Sequence, residues 1–200
     1  SASQDISAGD EHLQLLQQAI PTLIGKAKEL KFAKENRIDL WLVLLYASIL
    51  ELANGACRLI SSSEHAGCRT LARMAMEAYA DLINLFADSE YVNFLDVGSL
   101  TEWQKTYKLA QDGNPYFKAL CDEPGFEAEV ANEAERLAEL KERGYRILRV
   151  RERFERAGMG DAYQGIYHWL CSDTHNSLRG LSMRHIALVD EKNYEIHILK

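Results

Sequence analysis

The sequence has little of what usually interrupts a helix. Its 200 residues include only three prolines and 12 glycines, and this scarcity favours long helices over many short strands joined by turns. A run of about 20 apolar residues, the length that crosses a bilayer, is also missing, because the most apolar run, residues 40–50, ends at Glu51. We therefore expect no membrane association and place residues 40–50 in a buried core helix.

Signals for export and for several enzyme classes are missing as well. There is no glycine-rich phosphate loop, Ser-His-Asp signature or pair of metal-binding carboxylates, which argues against classical nucleotide-binding enzymes and predicts no cofactor. The first 14 residues are polar and acidic, so we expect no secretion signal and a cytoplasmic protein. In that setting the four cysteines, Cys57, Cys68, Cys121 and Cys171, are expected to be free thiols.

Positive charge is in deficit. The net charge is −7, which argues against a protein whose whole surface grips nucleic acid, and we expect no DNA specificity. Residues 141–156 hold seven basic residues against Glu142, Glu152 and Glu155. RNA could lie along this segment, but a solvated helix with Glu–Arg pairs explains the same pattern.

What is present is helical periodicity along most of the chain. We predict a single all-α domain, an antiparallel helical bundle with a four-helix core and extra helices. Core helices are expected within about 10–87 and 161–186, and residues 90–158 form an excursion that covers one side or makes a dimer contact. The predicted helices span about 10–31, 37–60, 62–87, 99–110, 126–157 and 161–186.

Two of these helix boundaries are predicted from specific residue patterns, and the residues after 186 show the pattern of a strand rather than of a helix. Ser99 with Glu102 three residues later is a capping box, which predicts a helix start after a break at 96–99. Gly158 and Gly160 predict the end of the long charged helix. After residue 186, apolar and polar residues alternate on both sides of a polar turn, which predicts a small C-terminal β-hairpin.

The last predicted helix carries a polar stripe beside its apolar face. His168, Ser172, His175 and Arg179 follow each other at helical spacing, next to the face that contains Tyr167. Imidazole titrates near neutral pH, so His175 could act as an acid or base, and Arg179 could hold an anion such as phosphate. The alternative is a half-solvated boundary of the bundle.

A second stripe lies on the third predicted helix, where Arg69, Arg73, Glu77 and Asp81 recur every four residues. Arg73 and Glu77 can pair along the helix. If these charges face inward they need partners, because a lone buried charge costs several kcal/mol. Ser172 and His175 would be partners if the two helices are neighbours, and the cluster would then be either a site or a network that fixes helix register.

These residues resemble a bacterial family of all-helical proteins of unknown function. The resemblance rests on Arg73 and Glu77 in an R-x3-E helix, and on Tyr167, Ser172 and His175 in a Y-x4-S-x2-H helix. That family in turn is similar to the HEPN superfamily of small helical bundles, many of which are metal-independent RNases used as toxins or in phage defence, acting across a homodimer.

The HEPN resemblance implies a site built from an arginine followed four to six residues later by a histidine. Arg179 and His185 fit this spacing. Gly180 stands where the superfamily has a polar residue, which weakens the nuclease reading. On one continuous helix Arg179 and His185 would point about 120° apart, so convergence requires a helix break or a second subunit.

Two readings compete with the RNase. Zinc could be held by His65, Cys68, His168, Cys171 and His175, but both cysteines fall on apolar faces and we expect no metal. Alternatively, the protein is a non-catalytic bundle that binds a protein partner, such as an antitoxin-like protein, or a small ligand. Its polar cluster would then be purely structural.

Overall fold

The computed structural model describes residues 2–33, 35–62, 67–171, 178, 181–182, 186–189 and 194–196, and these residues are mostly helical, which confirms the all-α prediction. The long helices are α1 (Ala2–Glu29), α2 (Arg37–Ser61), α3 (Cys68–Ala87), α4 (Tyr91–Gln111) and α5 (Phe126–Glu142). Shorter helical elements are the 3-10 helix Lys118–Asp122, α6 (Val150–Arg156), α7 (Gly160–Ala162), the π-helical turn Tyr163–Tyr167 and α8 (His168–Cys171).

The chain forms two compact units. Unit 1 comprises Ser1–Asn84 and Val150–Lys200, and unit 2 comprises Leu85–Arg149. Unit 2 overlaps the predicted excursion 90–158, whereas α6 belongs to unit 1. The predicted site residues that the structure describes belong to unit 1.

In unit 1, α1 and α2 pack as a helical hairpin. The side chain of Asn36 caps α2, since its Oδ1 accepts hydrogen bonds from the backbone N–H groups of Ile38 (3.1 Å) and Asp39 (3.4 Å). Gly55 allows a close approach to α3, because a Cβ at this position would lie 3.0 Å from Cδ1 of Leu71. Ser61 ends α2, where its hydroxyl donates to the backbone oxygen of Cys57 (2.7 Å).

The prediction that residues 40–50 lie in a buried core helix is wrong for the described residues. Within α2 only 22% of the most apolar 18-residue window is buried. Leu45 and Leu50 are buried and Leu44 is exposed, while most of the other residues are half-buried. By length and composition α2 could cross a membrane. A single helix of this kind is weak evidence, since the core helix of a soluble protein passes the same test.

The described core of unit 1 joins α3, α6 and the π-helical turn. Ala80, Phe154 and Tyr167 are buried together, and the ring of Phe154 lies 4.9 Å from that of Tyr167. Helix α6 is thus held in the core by Phe154, whereas the sequence pattern placed this helix in the charged excursion.

In unit 2, α4 packs against α5 and the 3-10 helix. The predicted helix start at Ser99 is wrong, because α4 begins at Tyr91 and continues through residues 96–99. The physical reason is burial: Val97 and Leu100 lie in a cluster with Leu137 and Leu140, and this packing outweighs the local capping signal.

The predicted helix from 126 to 157 is also wrong. Helix α5 ends at Glu142, and Gly144 has φ 92, in the left-handed region that favours glycine. The backbone N–H of Tyr145 then donates to the oxygen of Leu140 (3.0 Å), and the Tyr145 ring packs on the α4–α5 core.

The C-terminal hairpin prediction is confirmed. Strand β1 (Ile186–Leu188) pairs antiparallel with β2 (Tyr194–Ile196), and Ala187 lies opposite Glu195. Ile186, which the sequence reading placed at the end of the last helix, is therefore in a strand. The four cysteines are free thiols, as predicted.

Candidate functional site

The candidate site is a cluster of charged side chains between α3 and the elements that follow α5, entirely within unit 1. Residues at every fourth position of α3 share one face of the helix, so Arg73, Glu77 and Asp81 lie in one row. The neighbouring face of α3 carries Ala80, which is fully buried. The row therefore lies at the edge of the core.

Arg153 of α6 is the centre of the cluster. Its Nε donates to Oδ1 of Asp81 (2.8 Å), and a second guanidinium nitrogen donates to the other carboxylate oxygen, Oδ2. This bidentate geometry is the strong form of the arginine–carboxylate pair. The side-chain nitrogen of Asn84 donates to the backbone oxygen of Arg153 (2.8 Å). Residues of α3 therefore bind both the guanidinium and the backbone of Arg153.

Glu77 joins three further groups. Its Oε1 accepts a hydrogen bond from the hydroxyl of Tyr167 (2.8 Å) and lies 3.4 Å from Nε of Arg73. Its Oε2 lies 3.5 Å from a guanidinium nitrogen of Arg153. The carboxylate is therefore neutralised from two sides and hydrogen-bonded from a third.

Tyr167 ends a π-helical turn, Tyr163–Tyr167. Turns of this kind are rare and are often found at functional sites. The rings of Tyr163 and Tyr167 stack with centroids 5.3 Å apart. Burial, and then the hydrogen bond to Glu77 and its charge, raise the pKa of Tyr167 well above its usual range. Tyr167 is thus a neutral hydrogen-bond donor at physiological pH.

Arg69 lies at the margin of the cluster, next to α8. The guanidinium of Arg69 lies 4.1 Å from the centre of a Trp169 ring, a cation–π contact that links α3 to α8. His168 is exposed. The two helices are therefore neighbours, as the sequence analysis required for its two stripes to form one cluster.

The charges of the central residues balance. Arg73 and Arg153 carry two positive charges, and Glu77 and Asp81 carry two negative charges, all joined by the contacts above. A closed network of this kind fixes the register of helices.

Four of the predicted site residues, Ser172, His175, Arg179 and His185, lie outside the described residues. Their expected roles stay predictions. Among the described ones, the structure brings together Arg73, Glu77 and Tyr167.

Arg153 and Asn84 are not among the site residues predicted from the sequence. Glu77 and Asp81 are two carboxylates one helical turn apart, which predicts a positively charged partner. Nothing in residues 141–156 distinguishes Arg153 from the other arginines there as that partner.

The basic segment 141–156 does not form one surface along one helix. Arg143 lies 3.5 Å from Glu90, Arg151 pairs with Glu155 (2.7 Å), and Arg153 faces the core of unit 1. Charge pairing therefore explains these arginines, as the solvated-helix reading proposed, with Arg153 as an inward-facing exception.

Metal binding gains no support in the part of the chain that the structure describes. There, no three His, Cys, Asp or Glu side chains are grouped as a metal site requires. Two residues of the zinc alternative, His65 and His175, lie outside this part.

A family model described as a family of unknown function (DUF5677) matches residues 39–194, which is more than half of the 200-residue chain. The comparisons with curated proteins and with solved structures give no match. The matched range contains both polar stripes and Arg153. The predicted resemblance to a helical family of unknown function is thus confirmed.

Proposed function

The chain belongs to the family of unknown function DUF5677, and we propose that it is a non-catalytic helical module that binds a protein partner, a second copy of itself. The observation that carries this proposal is the exposure of apolar side chains on the α1–α2 hairpin. Only 22% of the most apolar window of α2 is buried within the chain, although this is a helix whose composition suits a core.

The exposed side chains are large and lie on both helices of the hairpin. They include Leu15, Leu16 and Leu23 on α1 and Leu44 on α2. Single exposed apolar residues are ordinary on a protein surface, but a group of them on one element is typical of an interaction surface. Covering this surface would provide the hydrophobic burial that α2 lacks.

A second copy suits this surface because residues 40–50 contain no charged side chain. Two identical surfaces can face each other only if they do not bring like charges together, and this stretch meets that condition although the chain carries −7 overall. Two helical hairpins related by a two-fold axis form a four-helix bundle, a common and stable arrangement.

A membrane suits the same surface less well. Glu51 lies near the middle of α2 (Arg37–Ser61) and is exposed. An ionisable side chain at the centre of a bilayer costs about 3 kcal/mol on insertion scales, whereas at a protein–protein interface it can lie at the solvated rim.

The non-catalytic part of the proposal rests on the ion-pair cluster. Glu77 and Asp81 are both engaged by Arg153, and Tyr167 donates to Glu77. In this proposal the cluster holds α3, α6 and the π-helical turn in register, so that unit 1 presents a rigid surface to its partner.

Sedimentation velocity of the wild type and two variants tests the proposal. We expect the wild type to sediment as a dimer, at twice the chain mass of 22.7 kDa, and Leu44→Glu to sediment as a monomer. The matched control is Leu109→Glu in unit 2, because Leu109 is 42% exposed against 52% for Leu44, and we expect it to remain dimeric. A monomeric wild type at every concentration, or equal effects of the two substitutions, would refute the proposal.

A metal-independent endoribonuclease with a toxin or phage-defence role is the second candidate, favoured by the spacing of Arg179 and His185 and by the HEPN resemblance. RNA cleavage by its own 2′-OH needs a base for that hydroxyl, an acid for the leaving oxygen and a cation for the developing charge. His175 or His185 would supply the proton transfers, and Arg179 the cation.

Cleavage of a mixed RNA pool in EDTA separates the two candidates. Cleavage by the wild type that is lost in both Arg179→Ala and His185→Ala would establish the RNase and displace the non-catalytic proposal. Intact RNA after incubation with a folded, dimeric wild type is the outcome that the non-catalytic proposal predicts.

A further inference from the structure

Unit 2 contains a cleft that the proposed function does not use. It has a volume of about 500 Å³ and lies between α4 and the segment around the 3-10 helix. Glu102, Trp103 and Thr106 line it from α4, since residues three and four positions apart share one face of a helix. Tyr116, Phe117 and Glu123 line it from the facing segment.

The walls of the cleft are aromatic and partly uncovered. Trp103 is 47% exposed and Tyr116 is 89% exposed. The indole of Trp103 stacks on the buried ring of Tyr107, with centroids 5.6 Å apart. Phe117 packs on the core cluster formed by Tyr107, Ala110 and Phe126. One wall of the cleft is therefore anchored in the core, while two aromatic rings remain open to a ligand.

The charge of the cleft has one sign. Glu102 and Glu123 are the charged residues among those that line it, and of the described lining residues none is a lysine or arginine. Lys105 pairs with Glu102 from outside the lining (2.7 Å). Glu123 is exposed and is the carboxylate that this pair does not neutralise.

We propose that this cleft binds an alkylated ammonium cation, through the faces of Trp103 and Tyr116 and the carboxylate of Glu123. Aromatic faces attract cations electrostatically, and the attraction is strongest for tryptophan. An alkylated ammonium combines positive charge with apolar bulk, so it suits walls that are aromatic and a rim that is acidic. An anion would be repelled by the carboxylate of Glu123, and a neutral apolar ligand would leave that charge without a partner.

Isothermal titration calorimetry with choline and its neutral isostere 3,3-dimethylbutanol tests this proposal on the full chain. We expect choline to bind about 2- to 5-fold more tightly than the isostere, which is the range that cation–π attraction provides at an exposed site. The two compounds share their shape, so the ratio of their affinities measures the contribution of charge. Equal affinities, or no heat from choline at 10-fold the concentration of the protein and above, would overturn the proposal.

Two variants locate the site. Trp103→Leu keeps an apolar side chain but removes the aromatic face, so we expect it to lower choline affinity and to leave the isostere unchanged. Glu123→Gln should lower choline affinity about threefold, the scale of an exposed charge interaction. The matched control is Glu135→Gln on α5, an exposed glutamate that does not line the cleft. Loss of choline binding in the control as well would contradict the assignment.

The cation could be free or carried on a side chain, and a second titration separates these sources. A peptide with one trimethyl-lysine is compared with the same peptide carrying unmodified lysine. Tighter binding of the trimethylated peptide than of choline assigns a side-chain ligand, and the reverse assigns a free one. Failure of both cations to bind overturns the site without affecting the dimer proposal, which concerns unit 1.

Discussion

Arg153 illustrates how one side chain can hold several elements together. It contacts Asp81 and Glu77 with its guanidinium and Asn84 with its backbone oxygen, and the neighbouring Phe154 is fully buried. The polar and apolar anchors of α6 are thus consecutive residues. Substituting either residue is expected to weaken the contacts of the other, because both hold α6 against α3.

Asp81→Ala is expected to destabilise the protein by about 3 kcal/mol, since it leaves the mostly buried Arg153 without its bidentate partner. Urea denaturation followed by circular dichroism measures this change. The matched control is Glu155→Ala, which removes the partner of Arg151 in an exposed pair on the same helix and should have a much smaller effect, because solvent screens exposed ion pairs. Equal losses would mean that the Asp81 pair does not stabilise the fold.

Tyr167 is expected to make the free energy of unfolding depend on pH in the alkaline range. Its pKa is raised by burial and by Glu77, so above about pH 10 the unfolded chain loses the Tyr167 proton while the folded chain keeps it. The free energy of unfolding therefore falls as pH rises, by up to about 1.4 kcal/mol per pH unit from this site. Below pH 10 the contribution is fully present.

Tyr167→Phe should remove this part of the pH dependence. Tyr107, whose pKa is raised to about 12 mainly by burial, remains in the variant and contributes in the same direction. We therefore expect a shallower fall between pH 10 and 11.5 in the variant, measured by urea denaturation at each pH. Parallel profiles of wild type and variant would contradict this account of Tyr167.

At the scale of elements, two glycines of unit 2 have opposite roles. Gly144 has φ 92 and ends α5 in the left-handed region, whereas Gly98 lies inside α4 and a Cβ there would meet nothing within 4 Å. An alanine is strained in the first backbone conformation and favoured in the second.

Gly144→Ala is expected to lower the stability of the protein by about 1 kcal/mol, and Gly98→Ala to raise it by about 0.5–1 kcal/mol. The same substitution thus changes stability in opposite directions at two positions of one unit, and chemical denaturation measures both. If Gly144→Ala were also stabilising, the left-handed turn at the end of α5 would be wrong.

The elements also show where local sequence signals are sufficient and where they are not. The end of α2 near residue 60 and the turn before α5 were predictable, because polar or glycine-rich residues there coincide with the ends of apolar periodicity. The helix start predicted at Ser99 was wrong because this capping pattern lies inside α4, where the neighbouring residues Val97 and Leu100 are buried. A capping box is worth about 1 kcal/mol, which is less than the burial of two large apolar side chains.

At the scale of the whole molecule, the proposed dimer links folding to association. If a second copy covers the α1–α2 hairpin, the melting temperature should rise with protein concentration, by about 2 °C for each tenfold increase. Differential scanning calorimetry over two decades of concentration measures this. Leu44→Glu should melt at a temperature that does not depend on concentration, and a flat wild-type profile would count against the dimer.

The sequence by itself determined the helical class, the small hairpin at its end and the row of charges on α3, because each is a local periodicity of two or four residues that the backbone geometry imposes. It also determined that Arg73 and Glu77 lie together, since they are one helical turn apart. Only the tertiary structure decided that Arg153 joins Asp81 across 72 positions, that α4 runs through Ser99, and that most of α2 is only half-buried. These outcomes depend on which surfaces pack together. The free energy of burial between segments that are distant in the chain cannot be deduced from the spacing of neighbouring residues.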